Sequence, residues 1–271
     1  SKMEKKVFKL DDYNNFREEG FIKIKINNLD ILLDQIEKEM FNISLNISKK
    51  LNIKLATKQK LSLHSILLNI YNINPKAFSY IFDCVKRHPE YYKLISSSLI
   101  TNTAKSLLTE NKNDFSINMT GDELIMQRPG DDININGMHQ DGAYFSDYGS
   151  SEASVVCWIP LFDCKIKNGA LQVIPKSHNN GILPHHKNKW EERKKVTRNF
   201  KGLLNVKKEF YPENAIDSLE SIECKRGEVL FLHYDLIHRS GLNSSNDIRI
   251  VYTVRYHNTC GKNYIEKYKL W

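Results

Sequence analysis

The spacing of hydrophobic residues divides the chain into two halves of different character. In the first half, apolar side chains recur every three or four positions, most clearly over 30–50 and less regularly over 60–71 and 81–108. This period is typical of amphipathic helices that bury one face. The segment 21–26 is an exception, because apolar and lysine side chains alternate there, which predicts a short strand.

From about residue 123 onward the hydrophobic period drops to two, and β-branched residues become frequent. The strands that this pattern predicts cover 123–127, 153–161, 170–174, 229–233 and 248–257. Turn-forming sequences lie between them at 129–132, 167–170, 225–228 and 241–247. A helical half followed by many short strands predicts an α+β protein, in which helices flank an antiparallel jelly roll.

The chain contains 271 residues, and no Pro-rich or Gly/Ser-rich linker divides it. We therefore expect one domain over 1–271, with a helical part over about 1–120 and a jelly-roll part over about 121–260. The segment 183–214 is polar, charged and weakly periodic, which is typical of a long insertion. We hypothesise that this insertion is a lid.

The net charge of +8 comes mostly from lysine, with 31 Lys against 9 Arg spread along the chain. A surface for nucleic acid would be clustered and richer in Arg, so an anionic small molecule fits this charge at least as well. No apolar run is long enough to span a membrane, and the first residues lack the apolar core of a secretory signal. Five widely spaced cysteines without a Cys-x-x-Cys pair predict reduced thiols and a cytoplasmic location.

The sequence MHQDGAYF at 138–145 carries the first candidate chemistry. On an extended chain His139 and Asp141 project from the same face, while Gln140 points away. A His-x-Asp pair is common by chance, so a metal site needs a third ligand. His238 is the candidate, and two histidines with one carboxylate form the facial triad of non-haem Fe(II) oxygenases. Arg249 follows on the next predicted strand, and its planar guanidinium suits a carboxylate ligand.

Four segments in order resemble the phytanoyl-CoA dioxygenase family of Fe(II)/2-oxoglutarate oxygenases. They are FREEGFIKI (16–24), MHQD (138–141), CWIPLFDCKIKNGALQVIPKSH (157–178) and GEVLFLHYDLIHRSGLNSSNDIR (227–249). Together they extend over most of the chain, and four ordered segments are more specific than any one of them.

The resemblance implies a double-stranded β-helix core of the jelly-roll or cupin-like kind, with Fe(II), 2-oxoglutarate and O2 as cofactor and co-substrates. It implies that His139, Asp141 and His238 bind iron and that Arg249 binds the C5 carboxylate of 2-oxoglutarate. Further residues match co-substrate contacts of the family, the last two more loosely: Trp158, Ser240, Gln140 and Leu124.

The expected reaction is hydroxylation of an unactivated C–H bond in a small, anionic or carrier-bound metabolite, with release of succinate and CO2. Two alternatives stay open. A cupin-like metal enzyme of another class, such as an isomerase, would not need Arg249 or Trp158. A non-catalytic binding protein on the same fold would typically have lost a metal ligand. The sequence leaves open the substrate, the oligomeric state and the roles of Arg255 and Gln127.

Overall fold

The computed structural model describes residues 10–54, 61–108, 116–131, 137–145, 151–187 and 204–259. The helices are α1 (Leu10–Glu19), α2 (Leu29–Lys50), α3 (Leu63–Ile73), α4 (Pro75–Lys86), α5 (Pro89–Ile95), α6 (Ser98–Leu108) and α7 (Gly142–Phe145). The strands are β1 (Phe21–Lys25), β2 (Ile117–Gln127), β3 (Ser154–Pro160), β4 (Leu171–Val173), β5 (His185–Lys187), β6 (Leu204–Val206), β7 (Glu220–Ile222), β8 (Glu228–His233), β9 (His238–Arg239) and β10 (Arg249–Asn258).

The helix predicted over 81–108 is the end of α4 followed by α5 and α6. Pro89 occupies the first turn of α5, where its missing N–H leaves no bond unmade, but it cannot continue α4. The preceding residue, His88, accepts a hydrogen bond from the backbone N–H of Glu90 and caps the new helix. Between α5 and α6, the side chain of Ser97 accepts a hydrogen bond from the backbone N–H of Leu99. Local capping therefore divides a segment whose apolar period is almost continuous.

Two antiparallel sheets face each other, which confirms the predicted jelly roll. The large sheet has the order β1-β8-β3-β10-β2, and the small sheet has the order β7-β4-β9. Apolar side chains from both sheets form one cluster between them, including Trp158, Leu171, Val173 and Leu230. Because β1 pairs with β8, the helical first half contributes an edge strand to the large sheet, and the predicted division near residue 120 does not separate helices from sheet.

The helices cover the outer face of the large sheet. Along β10, the side chains from Ile250 to Val254 at even positions pack with the helices in a second apolar cluster. The side chains from Arg249 to Arg255 at odd positions face the space between the sheets, among them Val251 in the inner cluster. The period of two along β10 thus places both arginines on the face between the two sheets.

The segment predicted as an insertion, 183–214, contains a two-stranded antiparallel ribbon of β5 and β6, in which His185 lies opposite Val206. Residues 188–203 of this segment lie outside the described residues. The backbone N–H of Val206 donates to the Met138 carbonyl at 2.8 Å. This bond joins the β5–β6 ribbon, which is a separate two-stranded sheet, to the segment that carries His139.

Within the described ranges, no helix is long and apolar enough to cross a bilayer. Four cysteines are free thiols: Cys84, Cys157, Cys164 and Cys224. Burial raises the pKa of Cys157 well above its ordinary value, so this thiol is a packing residue as the sequence predicted. Cys260 lies outside the described residues.

Candidate metal centre

Two extended segments bring three potential metal ligands together. His139 and His238 lie opposite each other and exchange two backbone hydrogen bonds of 3.0 Å. Asp141 follows at the start of the turn into α7. One ligand atom from each of these three side chains lies within 4.8 Å of the others, and all three residues are buried.

Backbone carbonyls orient both imidazoles. The Nδ1 of His139 lies 2.8 Å from the Gly137 carbonyl, and the Nδ1 of His238 lies 2.9 Å from the Leu236 carbonyl. A carbonyl only accepts, so each Nδ1 carries the proton and each Nε2 keeps its lone pair. Burial, with a further contribution from His238, lowers the pKa of His139 to about 3. Neutral imidazoles are the form that binds a metal.

Arg255 determines which oxygen of Asp141 is available. Its Nε donates to Asp141 Oδ1 at 2.8 Å, and its Nη2 forms an ion pair with the same oxygen, also at 2.8 Å. Oδ2 forms no hydrogen bond in the described structure and lies 3.3 Å from His238 Nε2. Burial alone would raise the pKa of Asp141, but the Arg255 guanidinium beside it lowers that pKa below its ordinary range. The carboxylate is therefore ionised and directs one free oxygen toward the two histidines.

Two neutral imidazole nitrogens and one buried carboxylate oxygen without a hydrogen bond fit a divalent first-row metal ion. Other inward-facing residues continue the cavity around the three ligands: Glu123, Ile125, Val156, Trp158, Leu171, Leu232, Ser240, Thr253 and Arg255. A metal held by the triad alone would keep coordination positions open toward this cavity.

Arg249 is a buried cation beside this cavity without an anionic partner among the described residues. Its Nη1 donates to the Gly169 carbonyl, and its Nη2 lies 3.4 Å from Ser240 Oγ. Its Nε is buried and forms no hydrogen bond, and the guanidinium carbon lies 6.0 Å from the centre of the Trp158 ring. Burial lowers the pKa of Arg249 to about 10, which still leaves a cation. Such a group is suited to a carboxylate ligand.

The structure brings Trp158 and Ser240 to the cavity, but it does not bring Leu124 there. The Leu124 side chain packs with the helices on the outer face of the large sheet. Its neighbours Glu123 and Ile125 line the cavity, because side chains alternate along β2. The Leu124 side chain therefore does not reach the cavity, and a co-substrate contact at this position stays a prediction.

Gln140 also differs from its predicted co-substrate contact. Its Nε2 donates to the carbonyls of Gly181 and Asp235 at 2.8 and 2.6 Å, and its Oε1 accepts from the Leu183 N–H at 2.8 Å. These bonds occupy the side-chain amide of Gln140 with backbone groups on either side of the metal ligands. The side chain points away from the metal centre, as an alternating strand requires, and it anchors the loops instead.

The sequence did not indicate the role of His185. Its Nδ1 lies 2.7 Å from the Leu183 carbonyl, and its Nε2 accepts from the backbone N–H of Gln140 at 3.2 Å. His185 thereby joins the β5–β6 ribbon to the metal-binding segment. The role of Gln127, left open by the sequence, is to donate through Nε2 to the Gly241 carbonyl at 3.1 Å. Both partners are backbone groups, which leave no signal in a sequence.

The Gln140→Leu variant is expected to lose both stability and metal affinity. Three backbone groups, on Gly181, Leu183 and Asp235, would lose their partners at about 1 kcal/mol or more each. Residues that support metal ligands typically change metal affinity about tenfold or more. Thermal unfolding and anaerobic Mn(II) titration measure the two effects. The control is Gln172→Leu, which removes contacts to Ser221 and Arg239. It should lower stability only, and equal losses of affinity in both variants would contradict the role of Gln140.

Facing sheets that enclose two histidines and one carboxylate define the class of protein, because non-haem iron oxygenases share this ligand set. The profile of the phytanoyl-CoA dioxygenase (PhyH) family matches residues 74–251, which is more than half of the chain. The chain belongs to this family, as the four sequence segments predicted.

Individual relatives cover smaller parts of the chain. The peroxisomal phytanoyl-CoA dioxygenase of Homo sapiens is 31% identical over 112 residues, which are 41% of this chain and 30% of that protein. Phytanoyl-CoA dioxygenase of Arabidopsis thaliana is 30% identical over 116 residues, which are 43% of this chain and 36% of that protein. Each match thus spans about a third of the relative.

The fold is also similar to that of a solved structure, EvdO2 from Micromonospora carbonacea var. aurantiaca complexed with 2-oxoglutarate. The TM-score is 0.54 at 16% identity, and the match covers 93% of this chain and 91% of that chain. This likeness supports the double-stranded β-helix architecture that the sequence predicted.

Proposed function

We propose that this protein is an Fe(II)/2-oxoglutarate-dependent oxygenase that hydroxylates an unactivated C–H bond of a small molecule. One observation carries the proposal: a buried His-Asp-His triad lies beside Arg249, a buried cation without an anionic partner in the described structure. A metal enzyme of another class, or a binding protein, has no evident need for that cation. An oxygenase needs it to hold the distal carboxylate of its co-substrate.

Different residues would bind the iron and the 2-oxoglutarate. His139, Asp141 and His238 hold iron, and Arg255 keeps the Asp141 carboxylate in place. Arg249 anchors the far carboxylate of 2-oxoglutarate. When bound, iron and 2-oxoglutarate together supply the oxidising power for O2-dependent C–H oxidation, with succinate and CO2 as products.

The surrounding side chains shape the place of reaction. Ser240 lies against Arg249 and supplies a hydroxyl close to the proposed carboxylate position. Trp158, together with Val156 and Leu171, forms apolar walls that exclude water from the cavity. Exclusion of water strengthens the charge interactions of Arg249 and protects the reacting groups from side reactions.

Other expectations remain predictions. These are a single domain over 1–271, a cytoplasmic location, a carrier-bound substrate and a lid over 183–214. The described part of 183–214 bears on the last of them, because the β5–β6 ribbon is bonded to the metal-binding segment through Val206 and His185. Any closing movement would therefore act directly on the metal ligands.

Anaerobic titration with Fe(II) and 2-oxoglutarate tests the proposal. The expected result is the weak visible charge-transfer band of a chelate, which requires iron and the 2-oxo acid in one site. Succinate is the control ligand, because it has the carboxylates but lacks the 2-oxo group and should give no band. Iron binding without a band on addition of 2-oxoglutarate would favour the cupin-like alternatives.

A further inference from the structure

The cavity contains one acidic residue, Glu123, that the proposed reaction does not use. Glu123 and Ile125 are the inward-facing residues of β2 that line the cavity with the triad. The Glu123 side chain is 36% exposed, whereas that of Asp141 is 1% exposed. Glu123 therefore lies at the open part of the cavity, and a carboxylate there is accessible to an incoming molecule.

The charge of Glu123 is only weakly compensated. Its carboxylate accepts no hydrogen bond from the described residues, and the nearest cationic atom is Arg255 Nη2, 4.0 Å from Oε2. Arg255 is committed elsewhere, with two nitrogens on Asp141 and Nη1 donating to Thr253 Oγ1 at 3.1 Å. Lys86 is bonded to Asp122. The partly buried position of Glu123 and the charge of Asp141 raise the pKa of Glu123. A cationic partner would therefore stabilise the Glu123 carboxylate.

Glu123 lies too far from Arg249 for both side chains to contact the same end of a small ligand. In the pairing of β2 with β10, Arg249 is opposite Gln127 and Thr253 is opposite Glu123. Four residues of strand separate the two positions by about 13 Å. A co-substrate anchored at Arg249 would extend toward the metal, and Glu123 would then lie on the side where the substrate enters.

We infer that Glu123 is a substrate-binding residue and that the substrate carries a positively charged group, such as an amine, close to the carbon that is oxidised. This inference rests on the proposed oxygenase function and names its substrate class. It differs from the anionic substrate suggested by the net charge of +8. Charges spread over the whole surface are screened within about 10 Å, whereas Glu123 would touch the ligand.

The experiment compares probes that have the same number of carbon atoms and carry either an ammonium or a carboxylate group. Wild-type protein is loaded anaerobically with Fe(II) and saturating 2-oxoglutarate, which keeps carboxylate probes away from Arg249. Butylammonium with butanoate, and hexylammonium with hexanoate, are then titrated while the chelate band is followed. Each ammonium probe should bind about tenfold more tightly than its carboxylate partner, which corresponds to one charge-assisted contact.

Variants assign the preference to one side chain. Glu123→Gln should remove it, and Glu123→Lys should reverse it in favour of the carboxylates. Glu220→Gln changes an exposed acid on β7 and should retain the wild-type preference. Within both probe pairs, equal binding or no detectable binding by wild type would overturn the inference, as would a preference that survives in Glu123→Gln. If wild type forms no chelate band before any probe is added, the proposed function itself fails.

Discussion

The Asp141→Ala variant is expected to lose tight Fe(II) binding and, with it, all 2-oxoglutarate turnover. Two effects act together. The metal loses its one anionic ligand, which at 4 Å and an effective dielectric constant near 20 corresponds to about 4 kcal/mol for each unit of metal charge, so the affinity should fall by roughly a thousandfold or more. In addition, the Arg255 guanidinium loses its partner and leaves an unpaired positive charge beside the dication. Anaerobic Fe(II) titration and succinate release measure the losses.

A double variant separates the two effects. Asp141→Ala leaves the buried Arg255 with only the distant Glu123 carboxylate, 4.0 Å away, and should lower the free energy of unfolding by about 3–5 kcal/mol. Adding Arg255→Met removes that unpaired charge and should restore most of the stability, while metal binding stays absent. Fe(II) affinity within tenfold of wild type in Asp141→Ala would mean that the metal is held elsewhere.

The second large effect concerns Arg249, for which stability and function should change in opposite directions. Arg249→Met removes the anchor of the 2-oxoglutarate carboxylate and should raise the dissociation constant of 2-oxoglutarate about a hundredfold, because hydrogen bonds to charged groups are worth about 1.5–3 kcal/mol each. The same change removes a buried cation that has no anion among the described residues, and should raise the free energy of unfolding by roughly 1–3 kcal/mol. Chelate titration measures the dissociation constant of 2-oxoglutarate, and thermal unfolding measures the change in stability.

Arg255→Met is the matched control, because Arg255 lies on the same face of β10 and is also buried. There the arginine is paired with Asp141, so its loss should destabilise the protein by about 3–5 kcal/mol. Opposite changes of stability in these two variants are the expected signature. A loss of stability in Arg249→Met equal to that in Arg255→Met would show that Arg249 has a structural role.

Alternation alone predicted much of the sheet, because its central strands are long enough to show a period of two. Over β10 the period of two places Arg249 and Arg255 on one inward face. It did not indicate that Arg255 is the arginine that contacts Asp141 of the metal motif. The strands β5, β6, β7 and β9 were missed, since two or three residues rarely display a period, whereas the equally short β4 lies within a longer apolar segment, 170–174.

The site was predictable where the chemistry depends on side-chain identity. The triad and Arg249 have distinctive residue types at distinctive positions. Leu124 and Gln140 were assigned by position within a motif, and a shift of one residue on a strand moves a side chain to the opposite face. Glu123 carried a signal that could have been used, because an outward Leu124 requires inward neighbours.

The position of β1 at the edge of the large sheet has a consequence for how the chain folds. Lys23 on β1 bonds to the Glu223 carbonyl, 200 positions later, and β1 itself pairs with β8. Contacts between such distant positions close slowly, so proteins rich in them fold on long timescales. During synthesis, β1 has no partner until β8 has left the ribosome, and its apolar residues stay exposed to other chains meanwhile. Slower expression at low temperature should therefore increase the yield of folded protein.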